Sequence, residues 1–319
     1  MTNTVYPLKN VSRLEITILV DNYVDALLPN QPGVVRPVLV KDGKIMPETL
    51  IAEHGLSLLI DTWEGATRHR IVLDTGYNPG TMIHNMKVLD LDPREIEAVV
   101  LSHGHMDHTG CLNMLLETIG RPIPVFCHPD VFRKRFSNRP NIGLSLVPQL
   151  ANRDQIIERG AQLSEQRSPI LLAGNTVLAS GEIPRITPFE NGTPGAMIEN
   201  QGRLEIDKIQ DDQCLVIRLD NCGLVVISGC AHAGIVNSIL YARKITGEDK
   251  VYGVIGGFHL TGADMAPTIN PTIEELKNLT PEMLAPMHCT GHSAMIRFYS
   301  EFPDSFVLSS VGTRLVLPR

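Results

Sequence analysis

The sequence predicts an α/β protein of two mixed sheets with helices outside them. Three observations predict it. Short runs of β-branched and aliphatic residues recur along the chain. Several are apolar throughout, as strands covered on both faces are. The first follow one another in hairpin-like order and the later ones alternate with helix-like segments, which two mixed sheets satisfy better than one doubly wound parallel sheet.

In chain order the strand runs are 14–20, 56–60, 70–73, 98–101, 124–127, 214–219, 224–228, 251–255 and 314–317. Asp92-Pro93-Arg94-Glu95 reads as an N-cap, a proline at the first helical position and an early acid. Helical segments are expected at 110–119, at 234–245 with apolar residues at 235, 236, 239, 240 and 245, at 271–279 and at 293–302. The segment 22–52 holds four prolines and two glycines and reads as a long loop insertion, structural rather than a lid. The segment 130–167, rich in Arg, Asn and Gln, reads as an inserted helical or irregular cap. Repeats, low-complexity tracts and a clean boundary are absent from the sequence, so residues 1–319 are expected to form a single domain.

Composition narrows the function. With 43% hydrophobic and 20% charged residues, the chain can bury a large core. A net charge of −7 gives no field for bulk polyanion binding, so nucleic acid is not an expected partner. Apolar runs stop well short of the ~18–20 residues of a membrane span. The first twenty residues lack the basic and apolar regions of an export signal. Six cysteines without paired spacing suit free thiols in a reducing compartment. A cytoplasmic enzyme or ligand binder is expected, acting on a small molecule, with its oligomeric state open.

The chemistry concentrates in Leu101-Ser102-His103-Gly104-His105-Met106-Asp107-His108-Thr109-Gly110, directly after a strand run and before a helical one. Three imidazoles and a carboxylate on one turn are electrostatically awkward alone. A divalent cation resolves this, because neutral imidazole and carboxylate are ligands that Zn²⁺, Fe²⁺ and Mn²⁺ accept. The spacing lets His103 and His105 point to one side while Asp107 and His108 turn towards a second ion.

This His-x-His-x-Asp-His run resembles that of the metallo-β-lactamase superfamily, and further landmarks follow in order. Val72-Leu73-Asp74-Thr75-Gly76 is similar to the upstream aspartate that props the metal loop, which gives Asp74 a supporting role. Gly229-Cys230 stands where the family usually places a bridging Asp, and Pro286-Met287-His288 resembles the strand end carrying the last ligand. The phrases Ser180–Arg185, Ser228–Gly234, Gly256–Leu260 and His288–Gly291 resemble the branch that includes 7,8-dihydropterin-6-yl-methyl-4-(β-D-ribofuranosyl)aminobenzene 5′-phosphate synthase. The resemblance covers most of the chain. It implies an αββα four-layer sandwich with one or two divalent metal ions at the sheet edges, zinc first and iron or manganese as alternatives.

Carried over residue by residue, the resemblance makes His103, His105, Asp107, His108 and His288 ligands. The family's third histidine to the first metal, from a mid-chain strand, has no counterpart; Ser180-Gly181-Glu182 stands there, with Glu182 as substitute. Cys230 and His232 are further candidates, both facing the site if the chain stays extended between them, though a buried Cys also serves as a small core hydrophobe. His259, in Gly256-Gly257-Phe258-His259, reads as a cleft residue that binds substrate or relays a proton, or as a satisfied structural histidine. Arg133, Lys134, Arg135 and Arg139 form either a solvated face or a lip recruiting an anionic, for example phosphorylated, substrate.

The leading functional expectation is a metal-dependent hydrolase of ester or phosphoester substrates, with Asp107 orienting the nucleophile. A transferase-type synthase forming a C–N bond on a pterin, and a protein that uses the metal to hold or sense a ligand, are the alternatives.

Overall fold

The structure is a computed structural model describing residues 4–318 apart from 39, 42 and 141. Two large sheets face each other. One runs in the order Ala161–Glu165, Ile123–Cys127, Ala98–Val100, Thr67–Leu73, Ser57–Glu64, Arg13–Val20, Arg314–Leu317 and Val34–Val35. The other runs Ile170–Leu172, Val177–Ala179, Cys214–Leu219, Gly223–Ser228, Val251–Gly257 and Met283–Met287, with Asn10–Val11 beside Cys214–Leu219.

Alternation within the strands assigns residues to layers. Leu14, Ile16, Ile18, Leu58, Ile60, Ile71 and Leu73 meet Leu215, Ile217, Val225, Ile227 and Ile255 between the sheets. The intervening residues of the second sheet, Val216, Val226, Val254 and Leu284, turn outward onto the helices Ile235–Thr246, Ala266–Leu279 and His292–Glu301. Leu59, Val72, Val99 and Val125 of the first sheet likewise pack on Thr81–Val88 and Leu112–Ile119. Strands covered on both faces must be apolar on both, which is why these runs lack a polar face. The result is the αββα order of layers.

One part of the outer surface differs. Glu15, Thr17, Asp61 and Arg70 alternate with the inward residues of the same strands and line a cavity closed by Val24, Arg36, Pro37, Met46 and Leu50. Arg70 holds Asp61 through two bonds of 2.8 and 2.9 Å, so these buried charges are paired. The segment 22–52 thus packs against a polar sheet face; its residues 39 and 42 lie outside the described residues.

Local differences from the sequence reading have simple causes. Asp92 does cap, accepting from the Arg94 amide at 2.9 Å, but only one 3₁₀ turn, Pro93–Glu95, fits before the strand Ala98–Val100 begins. The expected helix at 110–119 is Leu112–Ile119, preceded by a separate short helix, Met106–Thr109, and Ala266–Leu279 starts before Pro271 rather than at it. The 130–167 segment, expected to be helical or irregular, holds one helix, Arg153–Glu158, and irregular chain, and also three strands. Arg135–Arg139 and Gly143–Leu146 join Ala196–Asn200 and Arg203–Ile206 in a separate four-stranded sheet, while Ala161–Glu165 pairs in parallel with Ile123–Cys127.

Candidate metal centre

Strand register brings the candidate side chains to one sheet edge. Thr67–Leu73 and Ala98–Val100 run in parallel with Leu73 beside Val100, so Asp74 and the loop from Leu101 to His105 leave together. Asp74 then ties that loop down. Its Oδ1 accepts from the Ser102 amide at 2.7 Å, and its Oδ2 accepts from the Ser102 hydroxyl at 2.6 Å and lies 2.7 Å from His108 Nδ1. A second anchor holds the middle of the loop. The Gly104 amide donates to Asp211 Oδ2 at 2.8 Å, and Asp211 Oδ1 accepts from Arg135 Nη2 at 2.6 Å. Position 104 must be glycine, since a Cβ there would meet the Val131 carbonyl and lie 2.5 Å from Arg135 Nη1.

The facing sheet supplies the other half. Gly223–Ser228, Val251–Gly257 and Met283–Met287 are parallel neighbours, with Ser228 beside Gly256 and Gly257 beside Met287. Their ends therefore deliver Cys230 and His232, His259, and His288 and Cys289 to one place. His288 is fixed from outside: its amide donates to Asp21 Oδ1 at 3.0 Å, and the Asn22 side-chain amide donates to its carbonyl at 3.0 Å.

Four donor groups result, each with its ligand atoms within 4.8 Å of one another and the first three linked by shared residues: His103, His105 and His232; His103, His108 and Cys230; Cys230, His259 and Cys289; and His54, Asp107 and His288. His103 Nε2 lies 3.0 Å from His105 Nδ1 and 3.2 Å from His232 Nε2, and His108 Nε2 lies 3.1 Å from Cys230 Sγ. One ring nitrogen can carry a single hydrogen, so it cannot satisfy both imidazoles facing it. Lone pairs converging from His and Cys are the donor set a borderline divalent cation takes, and the residues present fit such an ion.

The electrostatics of three of the rings favour the same state. Burial, reinforced by neighbouring imidazoles, holds His103 and His232 well below the usual histidine range. Burial and the Arg135 charge bring His105 down to about 4. These rings are thus neutral near pH 7, as ligation requires. Burial also works against charge on His108, but Asp74 and Asp107 outweigh it and raise this ring to about 9. Asp107 is the converse: burial opposes its charge, yet His108 and His288 hold the carboxyl below its ordinary range.

The expected residues divide clearly. His103, His105, Asp107, His108, Cys230, His232, His259 and His288 all enter these groups, and Asp74 sits directly behind them. Glu182 does not. Its carboxylate lies 2.9 Å from His128 Nε2 and accepts from Arg167 at 2.7 Å, away from the four groups. His232 reaches the site by another route than the one expected. Ala231 has φ 53°, so the chain turns after Cys230 instead of staying extended, and the two residues serve different groups. Arg135 cannot form a lip: it is 3% exposed and paired with Asp207 at 2.8 Å and with Asp211. Lys134 and Arg133 remain nearer the surface, on the Glu199 side chain and carbonyl.

Two residues escaped the sequence reading. Cys289 follows His288 directly in His-Cys-Thr-Gly, a visible but unweighed signal. His54 stands in the loop before the strand Ser57–Glu64, with Nε2 3.4 Å from Asp107 Oδ2, and nothing local marks it.

Comparison with known proteins agrees with this architecture. Residues 50–197 match the family model of the metallo-β-lactamase superfamily. The chain is 36% identical over 257 residues to 7,8-dihydropterin-6-methyl-4-(β-D-ribofuranosyl)-aminobenzene-5′-phosphate synthase of Methanocaldococcus jannaschii, covering 80% of this chain and 87% of that one. It is 28% identical to an uncharacterised protein of the same organism, over 82% of this chain and 92% of the relative. Among solved structures it resembles Tm1679, a metal-dependent hydrolase of the β-lactamase superfamily, with TM-score 0.71 and 24% identity, covering 96% of this chain and 99% of the other. The superfamily usually binds divalent metals, and this chain has groups that could hold them. From its sheet order, its clustered ligands and its similarity to the synthase, the chain belongs to the metallo-β-lactamase superfamily, in the branch that resembles that pterin-linked enzyme.

Proposed function

We propose that this protein is a metal-dependent enzyme that transfers a dihydropterin-methyl group to an arylamine carrying a sugar phosphate, or to a close analogue. His103, His105 and His232 hold one divalent ion. Asp107, His108 and His288, with Cys230, would hold a second, and His103 stands with His108 and Cys230 on that side too; zinc is the first choice. The observation that carries the metal reading is the convergence of His105 and His232 on one nitrogen of His103. The substrate class rests on the relative's name, whose product joins a pterin methyl carbon to an arylamine bearing a ribose 5′-phosphate.

When bound, a divalent ion there supplies Lewis-acid stabilisation of phosphoryl oxygens. The rest falls to the chain. Asp74 holds the His108 ring and the Ser102 turn in one orientation, so the ligands need not reorganise on binding. In the transfer, the pterin C–O bond to a phosphate or diphosphate breaks, a C–N bond forms and the amine nitrogen gives up a proton. His259 lines a small pocket with Gly192, His232, Leu260, Met265 and Thr268, and the amine proton leaves to the released phosphate or to solvent.

Hydrolysis of a phosphoester by the same centre is the second reading, favoured by the resemblance to Tm1679. In it Asp107 orients the attacking water. One experiment separates the two. Metal-loaded protein is incubated with a dihydropterin-methyl diphosphate and a ribosylated aminobenzene phosphate, and products are followed by mass spectrometry. Coupled product supports the transferase; release of pterin alcohol and phosphate, unaffected by the amine, supports the hydrolase. Neither product, with metal bound, overturns both.

A further inference from the structure

We propose that Cys289 is itself a metal ligand, and that Cys230, Cys289 and His259 form a sulfur-rich site for a zinc-like divalent ion beside the imidazole groups. The inference rests on the metal reading above and adds a donor set to it.

The three ligand atoms lie within 4.8 Å of one another, and Cys230 also belongs to the group with His103 and His108. Its sulfur is therefore the donor common to the imidazole side and the thiol side. Both thiols are buried, and all six cysteines of the chain are unpaired. Two adjacent thiols and an imidazole are the donors of a three-ligand zinc site that keeps a fourth position open.

The backbone is arranged to keep these donors together. Gly257 packs so closely that a Cβ there would lie 2.7 Å from Cys289 Sγ and 2.5 Å from the Gly229 carbonyl. A side chain at 257 would displace the thiol. His259 has φ 46° and His288 has φ 51°, conformations that residues other than glycine rarely adopt. The first follows the close-packed Gly257, and the second sets up the chain immediately before Cys289. His259 Nδ1 is buried without a hydrogen-bond partner, an orphaned nitrogen that a metal ion would satisfy. Imidazole faces the open side as well: the His259 ring stands 4.2 Å from that of His232, and both line one small pocket.

The test reads metal and sulfur directly. Zinc-loaded protein of unaltered sequence is measured by X-ray absorption at the zinc edge, with metal content by elemental analysis. Two zinc-bound sulfurs per chain support the site, and one sulfur, that of Cys230, overturns it while leaving the proposed function in place. Cobalt-substituted protein gives a second readout. Cys289→Ser should lower the near-ultraviolet thiolate-to-cobalt absorption by about half and remove about one metal equivalent, with the far-ultraviolet circular dichroism unchanged. The same absorption and stoichiometry in Cys289→Ser and the unaltered protein would overturn the inference. A protein that binds no zinc or cobalt at all overturns both this site and the reading it rests on.

Discussion

Asp74 Oδ2 lies 2.7 Å from His108 Nδ1, and both side chains are fully buried. The contact leaves His108 Nε2 as the nitrogen that faces Cys230, so one carboxylate selects which end of the ring is available to a metal. Asp74→Asn should therefore weaken metal binding by about 10–100-fold, the usual effect of losing such a partner, with the fold intact. Competition against a chromophoric chelator measures this, and an unchanged affinity would remove Asp74 from the supporting role.

His103 belongs to two donor groups and His288 to one. His103→Ala should lower occupancy on both sides of the centre, whereas His288→Ala should spare the ion held by His103, His105 and His232. Elemental analysis after dialysis distinguishes the two. Equal losses from both variants would contradict the division into separate groups.

Arg135 and Arg133 are neighbours in sequence and opposites in environment. Arg135→Met leaves Asp207 and Asp211 buried without their cation, and breaking a buried pair in this way costs about 3–5 kcal/mol. Arg133→Met removes a half-exposed side chain and should cost no more than ~1 kcal/mol. Urea unfolding of the two variants checks the contrast. A small effect at Arg135 would mean that its acids are solvated after all.

Asp21 gives a pH dependence of definite sign. Burial raises its carboxyl from the ordinary 3.8 to about 6, so the folded chain binds a proton there more tightly than the unfolded one. The stabilisation this provides is complete below pH ~4 and lost as pH rises through 6. Relative to Asp21→Asn, which keeps the oxygen that accepts from the His288 amide, the metal-free protein should lose about 2 kcal/mol between pH 4 and 7. Denaturant titrations of both proteins across that range test it, and parallel curves would show that the carboxyl is not desolvated.

The fold class and one half of the centre are legible in the sequence because both are encoded locally. Doubly covered strands must be apolar throughout, and the run from His103 to His108 lies on one short loop and the helical turn that follows it, so its ligands stay close in sequence and space. Asp74 shares this property, sitting at the end of a strand whose apolar run announces it. The other half depends on register between strands far apart in the chain. Only the parallel pairing of Gly223–Ser228, Val251–Gly257 and Met283–Met287 brings Cys230, His232, His259, His288 and Cys289 to one edge. The left-handed turn at Ala231, not an extended chain, directs His232 to His103 and His105. Tertiary structure likewise decided the fate of charge. Glu182 was drawn to His128 and Arg167, and Arg135 was buried against Asp207 and Asp211, because a charged side chain goes where its partner and its desolvation cost balance. That balance is set by residues distant in sequence, which no local pattern of charges contains.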